Sequence, residues 1–283
     1  MGEIGELILI EVVGLKIGGS IATKKDDVKF SLDLAGIKKS ASGYIIRKNV
    51  ERIGKEVLQV AKKFSVFLAF GVGPFGHNLV RNRVDSAIVH ESCSYYCERI
   101  RDILIEVGLP VVYEEKYSPY RLCEYKNGNL EVRKLTDWSF DMIKNNNIPL
   151  MHGDMVKLQD GKTTPTSADL LIPKIAIDLK KRFGDECKVK RILAATDIDG
   201  VFTCDPLLHE DAILIEKISA RSRLNIRAEC RGVDVTGRMP KKLESYQSAA
   251  REGIEGLIVN GFKENRIKDA LLGKKVIGTL ILP

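Results

Sequence analysis

Short apolar runs alternate with amphipathic stretches along almost the whole of this chain. An apolar run of about four to eight residues bounded by turn residues buries as a strand, and apolar residues spaced three and four apart mark a helix face. On this basis strands are expected near residues 7–17, 65–70, 110–114, 148–152, 190–196, 255–260 and 275–281. Helices are expected near 46–63, 77–107, 136–145, 168–183, 239–252 and 264–272. Such alternation leads to an α/β fold, a mainly parallel sheet covered by helices on both faces. The segments 130–135 and 154–167 read as hairpin material, with Asp160-Gly161 supplying a tight turn. A helix gives way to a strand near Phe183-Gly184, which is the expected boundary between two lobes sharing one sheet.

Composition narrows the function. The 283 residues are 44% hydrophobic and 29% charged, and no run reaches the roughly eighteen apolar residues of a membrane span. The opening MGEIGELILIEVVGLKIGG lacks a basic leader region and carries Glu3, Glu6 and Glu11, so it reads as strand rather than signal peptide. A cytoplasmic protein is the default expectation. Six cysteines stand without paired spacing, which argues against a zinc site or a disulfide framework. Cys93 and Cys97, four apart, read as small buried residues on one helix face. The net charge of +7 comes from basic residues dispersed among acids, as in KKDD and RIRD. A small anionic substrate fits that pattern better than nucleic acid, which would concentrate basic and aromatic residues.

Gly71, Gly73 and Gly76 form a G-x-G-x-x-G after the apolar run SVFLAF. In a dinucleotide-binding fold an acid roughly twenty residues further on would end a second strand. Here Glu91 and Glu98, at about that distance, fall inside the expected 77–107 helix, so the dinucleotide reading is disfavoured. A glycine loop between a strand and a helix still offers N–H groups to an anion, and His77 stands at the helix start. A second glycine loop, Gly18-Gly19-Ser20, follows Lys16 at the end of the first strand. The G-x-x-x-x-G-K-[ST] phosphate loop is absent from the chain. Three further stretches stand out: Asp197, Asp199 and Gly200 after a strand, Asp169 at a helix start, and Lys241-Lys242 in the first turn of another helix. Cations at a helix N-terminus oppose its dipole, which suggests a bound anion.

In this order, LKIGGS, GVGPFGH, HGDMV, SAD, TDIDGVFTCDP and DVTGRMPKK resemble the motif series of the amino acid kinase superfamily, and within it the archaeal isopentenyl phosphate kinases. The similarity runs from about Val13 to the C-terminus. It implies a three-layer αβα sandwich, with an acceptor-binding lobe over about 1–185 and an ATP-binding lobe over about 186–283. It implies ATP-dependent phosphorylation of isopentenyl phosphate to the diphosphate, with Mg²⁺, by a homodimer bound to neither membrane nor nucleic acid. Lys16, His77, Asp169 and Lys242 match the catalytic positions. Gly18, Gly19, Ser20, Lys25, Thr196, Asp197, Gly200, Gly237 and Lys242 match nucleotide contacts. Gly71, Gly73, Gly76, His77, Gly153 and Asp154 match the acceptor site, and Tyr96 lies on the helix expected beside the acceptor tail. No residue is assigned to hold a metal directly.

The chain departs from that pattern at four places. Val72 and Pro74 replace glycine-loop residues, Arg238 follows Thr236-Gly237, Ala168 precedes Asp169, and the connection from His77 to His90 is short. These departures keep a kinase for another small phosphate or a carboxylate open, and beyond it a non-catalytic nucleotide sensor. The lysines Lys16 and Lys242 argue against the sensor, which has no use for transfer groups.

Overall fold

The computed structural model describes residues 9–24, 30–222 and 238–283. Chain order begins with β1 (Ile10–Ile17), the single turn α1 (Gly19–Ala22), α2 (Leu34–Tyr44), α3 (Arg47–Val60) and β2 (Ser65–Phe70). It continues with α4 (Pro74–Arg81), α5 (Ser86–Glu106), β3 (Val111–Val112), α6 (Pro119–Leu122), β4 (Glu124–Lys126), β5 (Asn129–Glu131) and α7 (Arg133–Lys144). Then come β6 (Ile148–His152), β7 (Asp154–Lys157), β8 (Thr163–Thr166), α8 (Ala168–Phe183) and β9 (Cys187–Thr196). The chain closes with β10 (Lys217–Ser219), α9 (Arg238–Arg251), β11 (Glu255–Asn260), α10 (Arg266–Leu271) and β12 (Thr279–Leu282).

The main sheet has the order β10-β12-β11-β9-β1-β2-β6-β3, and every pair in it is parallel except β11 with β12. Two-residue alternation along β1 sorts its side chains to two faces. Val13, Leu15 and Ile17 join one apolar cluster with α2, α3, α5 and α10, whereas Val12 joins the other with α7, α8 and α9. Lys16 shares its parity with Val12, so it emerges at the strand end on the α8 and α9 side. The sheet covered by helices on both faces that the alternation predicts is present, and with it the three-layer αβα arrangement that the resemblance implies.

A second sheet has the order β5-β4-β7-β8, and its β7 follows β6 of the main sheet after Gly153 alone. Asp160 and Gly161 lie in the turn joining β7 to β8, and Gly161 takes φ +82° there. The other hairpin expectation needs correction. Residues 133–135 open α7, and the hairpin pairs β5 with β4 across Asn127-Gly128, whose φ values of +51° and +76° suit an inward-twisting tight turn. The single helix expected over 77–107 is two helices, α4 starting at Pro74 and α5 starting at Ser86. Arg83 at φ +53° ends the first, and the Asp85 carboxylate accepts the Ala87 N–H to cap the second. No strand intervenes, so the objection to a dinucleotide fold stands.

Gly14 faces Phe67 across the β1–β2 pairing, and a Cβ there would overlap the Phe67 ring. Gly14→Ala is expected to destabilise the protein by about 1–3 kcal/mol through overpacking, read as a lower urea midpoint with the slope unchanged.

Candidate active site

The C-terminal ends of β1, β2 and β9 meet at the centre of the main sheet, where strand order leaves a crevice for ligands. Two glycine loops close on each other there. Gly18 N–H donates to the Ala195 carbonyl at 2.9 Å, and Gly71 N–H donates to the Ile17 carbonyl at 2.8 Å. A Cβ on Gly19 would come within 2.6 Å of the Gly73 nitrogen, so the two backbones touch only because Gly19 lacks a side chain. Gly73 itself takes φ +52° to turn the chain into α4.

The unusual loop residues fit this geometry. Pro74 occupies the first position of α4, where an N–H would have no partner within the helix. Val72 is buried in the core cluster and leans on Gly76, where any Cβ would collide with it. The loop thus exchanges open space for apolar packing.

Behind the loops, Asp169 stands in the first turn of α8, whose N-cap Ser167 hydroxyl accepts the Asp169 N–H at 3.1 Å. Lys16 Nζ donates to Asp169 Oδ2 at 2.9 Å, and Lys242 Nζ from α9 lies 3.8 Å from Oδ1. Lys16 and Lys242 are only 5% and 8% exposed, so one carboxylate offsets part of two ammonium charges held out of bulk water. Burial raises the Asp169 carboxyl, but Lys16 first and then Lys242 outweigh it, and its pKa lies below the ordinary value. Burial lowers the Lys242 ammonium despite Asp169.

A cleft opens on one side of this trio. It is lined by Gly71, Gly76, His77, Gly153, Asp154 and Ser167, with Val72, Val80, Val89, Cys93, Met155 and Pro165 supplying apolar wall. His77 is exposed and reaches the cleft from α4. Tyr96 is fully buried behind the loop, stacked on Phe75 with its hydroxyl donating to the Gly71 carbonyl at 3.3 Å. Cys93, one turn earlier on α5, lines the cleft where Tyr96 does not.

On the other side, the turn after β9 carries Asp197, and Thr196 Oγ1 donates to Asp197 Oδ1 at 3.2 Å. Asp197 acts on Lys242 through its charge, which ties this turn to the central trio. Gly200 packs against Thr279, whose hydroxyl accepts the Val201 N–H at 2.7 Å, and Arg266 reaches Asp199 at 3.3 Å. Thr279 and Arg266 escape sequence reading because their partners lie about seventy positions away, with no local pattern to mark them. Ser20 sits half-buried in α1 beside the central trio's loop. Lys25 and Gly237 lie outside the described residues.

A buried polar cluster backs the cleft. Cys93, His152 and Asp154 bring possible ligand atoms within 4.8 Å of one another. Both His152 nitrogens are engaged, however: Nδ1–H donates to the Gly153 carbonyl at 2.8 Å, and Nε2 accepts from the Tyr113 hydroxyl at 2.9 Å. Burial keeps that imidazole neutral, so the cluster is a hydrogen-bond network.

Residues 12–260 match the amino acid kinase family. This chain belongs to that family. The isopentenyl phosphate kinases of Methanothermobacter thermautotrophicus and Methanocaldococcus jannaschii are each 27% identical to it, over 94% of this chain and 97% of theirs. A crystal structure of an isopentenyl phosphate kinase superposes with a TM-score of 0.73 at 25% identity, covering 95% of this chain and all of the other.

Because the Asp169 carboxyl is held below its unfolded value, its stabilising contribution is complete above about pH 4 and fades as the pH falls further. Asp169→Asn is expected to cost about 3 kcal/mol at pH 7, and the gap to the parent protein should close on acidification, as followed by urea unfolding across pH.

Proposed function

We propose that this protein transfers the γ-phosphoryl group of ATP to isopentenyl phosphate, forming isopentenyl diphosphate and ADP. The observation that carries the proposal is the Lys16–Asp169–Lys242 trio, set between the cleft and the Asp197–Gly200 turn. Near full-length similarity to isopentenyl phosphate kinases supports this acceptor over others.

In this reading the cleft takes the acceptor. His77 donates a hydrogen bond to its phosphate, the Gly71–Gly76 loop and Gly153-Asp154 surround it, and the apolar wall receives the hydrocarbon tail. The nucleotide lies over Gly18, Gly19, Ser20, Thr196, Asp197 and Gly200, with Lys25 and Gly237 completing its site. Lys16 and Lys242 present positive charge where the phosphoryl group crosses, and Asp169 holds both ammonium groups in place. The acceptor phosphate is itself the nucleophile and is already ionised, so the site requires no general base. Asp169 is committed to two lysines, which fits a magnesium ion carried in by the nucleotide phosphates. That ion would neutralise phosphate charge during transfer. The same reading makes the protein a homodimer, with the acceptor lobe ahead of Phe183-Gly184 and the nucleotide lobe after it.

The test is ADP release with Mg·ATP against isopentenyl, dimethylallyl and geranyl phosphates, acetylglutamate and aspartate. Turnover on the first two is expected; activity confined to a carboxylate would replace the acceptor, and silence with ATP bound would favour a sensor. Lys16→Ala is expected to lower kcat by about 10²–10³ with the circular dichroism spectrum unchanged, and unaltered turnover would remove Lys16 from the transfer step.

A further inference from the structure

A cleft that takes a phosphate is an unfavourable place for an acid, yet Asp154 lines it. Its side chain is fully buried, and its Oδ1 accepts the Met155 N–H at 2.8 Å. Its Oδ2 faces His90 Nδ1 at 3.0 Å, from α5 on the side away from the cleft. The other ring nitrogen, Nε2, meets Glu115 Oε1 at 2.6 Å. An ionised carboxylate can only accept, so a ring bonded to carboxylates through both nitrogens must carry two N–H groups. With both acids ionised, which the Met155 N–H on Asp154 and the Arg121 guanidinium on Glu115 favour, His90 is an imidazolium between them.

The surroundings close the charge balance. Arg121 Nε donates to the same Glu115 Oε1 at 2.7 Å, so two carboxylates are matched by two cations. Tyr120 stacks on the imidazolium with ring centroids 4.2 Å apart, and Ser94 Oγ lies 3.5 Å from Nδ1. His152 is 3.8 Å from Asp154 and neutral, with Tyr113 on its far side. Cys93 is a thiol held protonated by burial. Lys38, Glu91, Tyr95 and Glu98 line the solvent groove outside the ring. Burial works against the charge on His90, but Asp154 and then Glu115 outweigh it and hold its pKa above the ordinary histidine value.

We propose that His90 is a positioning residue for the acceptor phosphate: it neutralises Asp154 from behind the cleft and fixes the Gly153–Met155 wall in place. The proposal rests on the phosphate-acceptor reading given above. Without the imidazolium, Asp154 would face an incoming dianion with its full negative charge, and acceptor binding would weaken while phosphoryl transfer would not.

The test begins with the unaltered protein. Its four histidines are few enough for assignment, and long-range ¹H–¹⁵N spectra at pH 7 should show His90 protonated on both nitrogens, titrating above the ordinary value. The KM for isopentenyl phosphate should then rise as the pH passes that titration. In His90→Gln the acceptor KM is expected to rise about tenfold, with kcat and the KM for ATP within about threefold. Adding Asp154→Asn to that variant should recover most of the lost affinity, because the charge that needed neutralising has gone. A purely structural role predicts instead that the second substitution deepens the defect. A neutral His90 at pH 7, or no recovery in the double variant, overturns the proposal. If the enzyme proves silent on prenyl phosphates, the acceptor reading falls. Inorganic phosphate binding, weakened in His90→Gln and restored in the double variant, then decides the role of His90 separately.

Discussion

Two ammonium groups share one carboxylate at the centre of this molecule, and much of the fold can be understood as the means of bringing them together. Lys16 comes from the end of β1, Asp169 from the first turn of α8 and Lys242 from the first turns of α9. Nothing local in the chain links these positions; Lys16 and Asp169 are 153 residues apart. Ammonium groups this poorly exposed need a counter-charge beside them. The trio constrains the packing of α8 and α9 on the same sheet face, and it sets a patch of net positive charge at the crevice where strand order diverges.

The cleft side uses the same logic with opposite sign. There a carboxylate lies in the wall, and a histidine and an arginine reached from α5 and α6 balance it and its neighbour Glu115. Two lysines on one carboxylate leave positive charge at the centre, whereas the acids of the flank each have a cationic or histidine partner.

The apolar runs SVFLAF and EGLIVN made β2 and β11 legible to the residue, because buried parallel strands leave a continuous hydrophobic signature. Helix α2 gave no such signal: LAGIKKSASGY carries two glycines and two serines, weak helix formers held by tertiary contact. The break between α4 and α5 was hidden because apolar residues keep helical spacing through it, and only Arg83's left-handed backbone reveals the turn. Lys16 could be read from the glycine loop beside it, whereas Asp169 was marked only by the motif resemblance, since alone it is an ordinary acid at a helix start. The His90 pairing could not, since Glu115 and Asp154 lie 25 and 64 positions away with no periodic relation to it.

One joint in the chain has a mechanical meaning. Only Gly153 separates β6, a strand of the main sheet, from β7, a strand of the second sheet. Its N–H is bonded to the Phe70 carbonyl at 3.3 Å, and any Cβ on it would press on the Thr166 carbonyl. The two sheets are consequently joined by a single residue, which is itself bonded to the strand leading into the glycine loop. Met155 and Asp154 of the cleft wall are thereby held at a fixed reach from the strand that ends in the glycine loop.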